Sequence, residues 1–187
     1  MMSAAAVAAD DPAGWSAAKW GMSDAEILHA IPAATRLDPP EKVGMSAEQS
    51  AQLAKLRNDL RRMRGQPELP AEPVHGNQVL AHVAVPVELA RTKFRALMVP
   101  DQAGRLASVL LSPIHQTDAT VALFESLEQL LVQKYGRPWT TRDGDSAEIQ
   151  WTIKTTVITL TRWHSPMTGT LHVSIQYKRK SADLDKM

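Results

Sequence analysis

The stretch that decides the fold is Glu148–Trp163, which reads EIQWTIKTTVITLTRW. Apolar side chains recur at every second position on both sides of a short polar break, the spacing of strands that bury one face. The break at Lys154-Thr155 is typical of a hairpin turn. The sequence therefore predicts two paired strands with one face toward the core and a second face, rich in Thr and Gln, in water.

Four further segments are predicted to be strands. The same alternation continues at Leu171–Tyr177, and an earlier run of strands covers Val79–Val87, Arg91–Val99 and Arg105–Leu111. The last of these is apolar on both faces, so we expect it to lie centrally in the sheet. Pro86, which cannot donate a ladder hydrogen bond, predicts an edge position for the first.

Helical spacing appears between and before these runs of strands. Asp118–Tyr135 carries a broad apolar stripe, and Gly136 and Pro138 are suited to end it. Nearer the N-terminus, Ser23 and Glu26 have the spacing of a capping box, in which each side chain bonds to the backbone amide of the other residue. A short helix is therefore predicted to begin after Ser23.

The resulting element order is α-α-βββ-α-βββ. It predicts an α+β fold, with an antiparallel sheet of about six strands in two three-stranded meanders and the helices on one face. The expected organisation is a disordered tail or signal-peptide remnant at 1–14, a single domain at 15–180 and a disordered tail at 181–187. An inserted helix is expected at 46–64, between two proline-rich linkers.

The inserted helix combines a narrow apolar seam with basic flanks. The seam residues follow spacings of three and four, as in helices that pack against a partner helix or groove. The residues predicted to bind a partner are Leu53, Leu56, Leu60, Met63, Arg57, Arg61 and Arg64.

Composition excludes several classes of protein. The chain has 187 residues, with 21 basic and 20 acidic side chains, and lacks the basic excess of nucleic-acid-binding proteins. It has no cysteine, which removes disulfides and thiolate chemistry, and no apolar run long enough for a membrane span. The basic run Lys178–Lys180 is interpreted as a solvated face or a weak contact with an anionic surface. No nucleic-acid partner is expected.

The N-terminal segment Ser3–Pro12 suggests export. Small residues, including an Ala-x-Ala at Ala6 to Ala8, precede two aspartates and a proline, as at the end of a secretory signal. We therefore expect a periplasmic or secreted protein. An alanine-rich disordered tail is the alternative interpretation.

Catalytic and metal-binding patterns are weak. None of the 6 histidines stands at the spacing of a helical metal site. A hydrolase site assembled from His82, His164 and His172 is the remaining enzymatic alternative. Asp143 and Asp145 are explained by turn preference. We predict no metal, no cofactor and no enzymatic activity.

Two motifs carry a resemblance. The helix start Trp20–Glu26 (WGMSDAE) and the later helix end Tyr135–Pro138 (YGRP), followed by a strand bearing Trp151, resemble small, largely uncharacterised exported proteobacterial proteins. The resemblance covers about 15–31 and 123–177, and it implies export and this type of fold rather than an activity. The helix at 46–64 departs from the usual short version.

These patterns lead to two hypotheses of function. The first is a non-catalytic exported module that binds another protein, or assists assembly, by docking through the helix at 46–64. The alternative is a protein that binds a small apolar ligand in a crevice between the helix at 118–135 and the sheet. The residues predicted to line that crevice are Trp20, Trp139, Trp151 and Trp163.

Overall fold

The computed structural model describes residues 13–44, 78–143, 146–165 and 168–180, together with positions 51, 54, 55, 58, 59, 61–63, 65 and 67. The elements in chain order are β1 (Gly14–Trp15), β2 (Ala18–Lys19), α1 (Asp24–Ala30), β3 (Thr35–Val43), β4 (Val79–Leu89), β5 (Thr92–Pro100), β6 (Leu106–Pro113), a 3-10 turn (Gln116–Asp118), α2 (Val121–Tyr135), β7 (Trp139–Asp143), β8 (Ser146–Ile153), β9 (Thr156–His164) and β10 (Leu171–Arg179).

The prediction of an α+β fold with two three-stranded meanders is wrong. The protein is mainly β: eight antiparallel strands form one sheet in the order β3-β4-β5-β6-β10-β9-β8-β7, and β1 and β2 form a separate two-stranded ladder. Two four-stranded meanders, β3–β6 and β7–β10, meet where β10 pairs with β6. Helix α2 connects the central strand β6 to the far edge, β7.

The prediction missed the short strands β1 and β2 and, in the large sheet, the two edge strands β3 and β7. Strand β3 contains Pro39 and Pro40, and its pairing with β4 shifts register between Arg36 and Glu41. Strand β7 is short and mostly polar. An edge strand pairs on one side only, so it tolerates proline and needs little apolar alternation. The pattern that identifies buried strands is therefore absent from both.

Strand β4 is internal, and the edge position predicted from Pro86 is wrong. Its neighbours are β3 and β5, but the pairing with β3 ends at Ala84, opposite Thr35. Pro86 lies beyond that point and is opposite Arg95 of β5. Strand β3 does not extend this far, so in the described part of the chain β4 has only one neighbour at Pro86. The N–H that proline lacks therefore costs the β3–β4 pairing no hydrogen bond.

The segment before α1 ties the two meanders together. Ser23 caps α1 and the predicted capping box is present, with the Ser23 amide donating to Glu26 Oε2 at 2.7 Å. Just upstream, the Gly21 amide donates to the Leu106 carbonyl of β6 at 3.0 Å. The Trp20 indole donates to Thr156 Oγ1 of β9 at 2.9 Å. Trp20 and Gly21 thus link β6 of the first meander to β9 of the second.

Helix α2 covers the second meander. It begins after Thr120, whose hydroxyl accepts from the Leu123 amide at 3.0 Å, and ends at Gly136, which has a φ of 80°. The Trp151 indole donates to the Gly136 carbonyl at 2.9 Å and fixes the helix end to β8. No helix in the described part of the chain is long and apolar enough to cross a membrane.

The two faces of the sheet have different environments. The helix face, which α1 and α2 cover, carries the main core and includes Phe94, Leu111, Ile158 and Ile175. The opposite face, called the open face below, is divided. Its β3–β6 half holds a second buried cluster of Val43, Ala81, Ala84, Leu97 and Val99. Its β7–β10 half carries hydroxyl and amide side chains, as the alternation predicts.

Candidate functional site

A crevice lies between the C-terminal half of α2 and the helix face of the sheet. Its volume is about 450 Å³. The side chains of α2 form one wall, β10 forms the floor and the end of β4 closes one side. The lining residues are Leu89, Leu127, Leu130, Leu131, Gln133, Lys134, Ile175 and Tyr177.

Burial divides the crevice into a fixed floor and an open rim. Leu127, Leu131 and Ile175 are almost fully buried, whereas Leu130 is 45% exposed. Leu130 extends the apolar stripe of α2 beyond the width that the sheet covers. A ligand in the crevice would therefore meet a preformed apolar floor and would cover Leu130.

Of the residues that line the crevice, Lys134 is the one with a charged side chain. Burial raises the pKa of Tyr177 far above its usual range, and the neighbouring Tyr135 adds to the rise. Tyr177 is therefore a neutral phenol at ordinary pH. Lys134 supplies a cation at the rim, with Nζ 5.1 Å from the centroid of the Tyr135 ring. The arrangement suits a molecule with an apolar body and an anionic or polar end.

A second cleft, of about 590 Å³, is more polar. It lies between the β4–β5 turn and the start of α2. Arg91 lines it from the turn and Lys93 from the start of β5, and His115 and Asp118 line it from the 3-10 region. Arg91, Lys93 and His115 are exposed to water, and Asp118 is partly exposed. Leu123 is its buried apolar lining residue, whereas the crevice has Leu127, Leu131 and Ile175.

The structure does not bring the four tryptophans together at the crevice. Trp20 and Trp151 contribute to the core of the helix face, and each indole N–H has a hydrogen-bond acceptor. Trp163 projects from the open face and stacks on His172, with ring centroids 4.3 Å apart. Trp139 lies on the edge strand β7 and is 63% exposed. None of them lines the crevice.

The structure separates His82 from the other two histidines of the hydrolase alternative. His82 lies on β4, the second strand of the sheet, and its Nδ1 is 3.0 Å from Asp24 Oδ2. His172 lies on the fifth strand, about 14 Å away at the spacing of neighbouring strands. Burial, with a smaller effect from the nearby His164, lowers the pKa of His172. Among the described residues, no group of three His, Asp or Glu side chains could hold a metal ion.

The predicted docking helix falls mostly outside the described residues. Leu53, Leu56, Leu60, Arg57 and Arg64 all lie outside them. Of the described positions, Met63 is 76% exposed, and Arg61 Nε donates to the Pro67 carbonyl at 2.7 Å. The flanking strands pair Val43 with Val79, so the segment 44–78 leaves and re-enters the sheet at one point.

None of the residues that line the crevice was predicted to do so. Two of them, Leu89 and Tyr177, come from strands. Both carry ordinary strand signals, and only the tertiary fold brings the end of β4 and the middle of β10 to the same helix. The available signal was in α2, where Leu130 widens the stripe that contains Leu127 and Leu131. An apolar stripe that is wider than the part packed on the sheet leaves apolar surface exposed, and that surface is available for another contact.

No protein-family model matches the sequence, and no curated protein matches it. Among solved structures, the chain is similar to a DUF4309 family protein, YjgB, from Bacillus subtilis. The two are 10% identical, with a TM-score of 0.32, over 65% of this chain and 76% of that chain. A similarity of this size transfers no function.

Proposed function

We propose that this is a non-catalytic, exported binding protein that holds a small amphipathic ligand in the crevice beside α2. The observation that carries the proposal is the apolar cavity of about 450 Å³ with a single cation, Lys134, at its rim. Ligand sites in proteins commonly have this volume and an apolar lining with a few polar groups. Export is supported by the composition of Ser3–Pro12 and by the resemblance of the Trp20–Glu26 motif.

The burial of the lining limits the expected affinity. Leu127, Leu131 and Ile175 already have little surface to lose. Most of the gain comes from covering Leu130, and one Leu side chain taken from exposed to buried contributes about 1.5–3 kcal/mol. The apolar part of the ligand is therefore expected to bind modestly, and attraction between Lys134 and an anionic end adds selectivity.

Calorimetric titration with dodecanoate tests this proposal. Leu130→Asp places a carboxylate in the crevice and repels the apolar body and the anionic end. We expect affinity to fall at least about tenfold, which corresponds to ~1.4 kcal/mol. Lys134→Met should reduce binding of dodecanoate more than binding of dodecanol.

The matched control is Val132→Asp, an exposed position on the same helix that does not line the crevice. It should leave dodecanoate binding within about twofold. If the wild-type protein gives no binding heat, or if Leu130→Asp and Val132→Asp reduce binding equally, the crevice is not the site.

A second candidate function is protein binding through the helix at 46–64. It is favoured by Met63, whose exposed apolar side chain belongs to the predicted seam. The partner would be another protein, and its rim contacts would include Arg61. Comparison of the wild type with Leu56→Asp/Leu60→Asp in pull-downs from the native host tests it. Loss of one specific partner supports the hypothesis, and an unchanged set of captured proteins contradicts it.

A further inference from the structure

The β7–β10 half of the open face contains a continuous line of polar side chains. Gln150 is paired with Trp139 on one side and with Thr159 on the other, and Thr159 is paired with Gln176. Directly paired residues in neighbouring strands project from the same face. The line therefore crosses four strands, a distance of about 14 Å at the usual strand spacing.

A second line runs beside the first. Glu148 is paired with Thr161, and Thr161 is paired with Ser174. We call the two lines together the polar platform: Trp139, Gln150, Thr159, Gln176, Glu148, Thr161 and Ser174. Trp163, stacked on His172, stands next along the same strands and forms a rigid aromatic border.

The platform has unused hydrogen-bonding capacity. Gln150, Thr159, Thr161 and Ser174 are partly exposed, and Gln176 is exposed. Among the described residues, no hydrogen bond joins any of these five side chains to another protein group. Amides and hydroxyls both donate and accept, so the surface offers a dense set of both roles.

The side chains of the polar platform favour one class of ligand over the others. The centre of the platform carries no charge, and Glu148 lies at one margin whereas Lys178 lies beyond the opposite margin. An anion or a nucleic acid would require clustered Lys and Arg side chains. Apart from Trp139 and the bordering Trp163, an apolar protein surface would meet hydroxyl and amide groups on the platform. A sugar chain has hydroxyls that match amides, and C–H faces that stack on an indole ring.

We infer that the polar platform binds a neutral oligosaccharide. The indole of Trp139, which is 63% exposed, stacks on one sugar ring at the sheet edge. Gln150, Thr159 and Gln176 exchange hydrogen bonds with the hydroxyls of the following rings. The length of the line suits several linked rings rather than one. This inference is independent of the crevice, which lies on the opposite face of the sheet.

Native affinity electrophoresis tests the inference. The gels contain hydroxyethyl cellulose, galactomannan or glycogen as neutral probes, dextran sulfate as an anionic probe, or no polysaccharide. We expect at least one neutral polysaccharide to retard the wild-type protein. Trp139→Ala and Gln176→Ala should each weaken that retardation by about tenfold in apparent affinity, and Trp139→Phe should restore part of it.

Thr140→Ala provides the matched control. Thr140 is exposed and adjacent to Trp139, but it is paired with Ile149 and projects from the helix face. This variant should be retarded like the wild type. Thermal unfolding of all variants checks that they fold. Unretarded migration of the wild type in all three neutral gels would overturn the inference. Retardation in dextran sulfate alone, or equal retardation of Trp139→Ala and wild type, would do the same.

Discussion

The two halves of the open face belong to one sheet and are both antiparallel meanders, but they differ in the side chains that project from this face. In the β3–β6 half, Leu97 and Val99 are buried in a second core cluster. In the β7–β10 half, Thr159 and Gln176 project at equivalent positions and remain accessible. A single row of cross-strand pairs joins Leu97, through Leu110, to Gln176 and Thr159. Backbone pairing is continuous across the boundary, so the two halves differ in the side chains that they present, apolar in one and polar in the other.

The largest expected effect comes from truncating one side chain in each half of this row. Leu97 is 4% exposed, so Leu97→Ala should lower the free energy of unfolding by about 2–5 kcal/mol through lost burial and a residual cavity. Thr159→Ala removes a partly exposed hydroxyl and should change it by less than about 0.5 kcal/mol. Urea unfolding measures both, and equal losses would remove the distinction between the halves.

The second-largest effect on stability is expected at the hydrogen bond between Trp20 and Thr156, which links the two meanders. Thr156 is fully buried, and Thr156→Val leaves the Trp20 indole N–H without its acceptor. An unsatisfied buried donor costs about 1–3 kcal/mol. Adding Trp20→Phe removes the donor as well, so the double variant should lose less than the sum of the two single losses. Strict additivity in urea unfolding would show that this hydrogen bond does not connect β9 to the Trp20 segment.

A smaller effect is expected at the helix caps, since each helix covers a different half. Ser23 caps α1, which packs on β3 and β4, and Thr120 caps α2, which packs on β8 and β9. Ser23→Ala and Thr120→Ala should each lower the free energy of unfolding by about 1 kcal/mol. Replacement by Gly should cost less. A cap variant with unchanged stability would indicate that its helix contributes little to the half that it covers.

The smallest effect is a pH dependence confined to the second half. Because burial lowers the pKa of His172 in the folded state, the unfolded chain binds this proton more readily. The contribution of His172 to stability is therefore present above its ordinary pKa of about 6.5 and is lost as pH falls through the folded value.

Thermal unfolding between pH 7.5 and pH 5 measures this contribution. His172→Gln should reduce the loss of stability on acidification, and the fluorescence of the stacked Trp163 should change with the same midpoint. A wild-type midpoint above the ordinary histidine pKa would contradict the burial of His172.

The sequence contains enough information for the inner strands and little for the edges. The alternation in β8–β10 and the apolar runs in β4–β6 follow from burial, so the pattern reports it directly. Within the described part of the chain, β3 and β7 each pair with one neighbouring strand, and their prolines and polar residues carry no periodic signal. The site shows the same limit, because Leu127 and Leu131 belong to a local stripe whereas Leu89 and Tyr177 reach it only through the tertiary fold.

The pairing register between β6 and β10 determines whether Leu97 and Thr159 project from the same face of the sheet. Nuclear Overhauser effects between the backbone protons of these strands test it most directly. We expect cross-strand contacts that place Gln176 opposite Leu110 and Ile175 opposite Leu111. A register offset by one residue would contradict it, because the polar platform would then share a face with the main core of the first half rather than with Leu97.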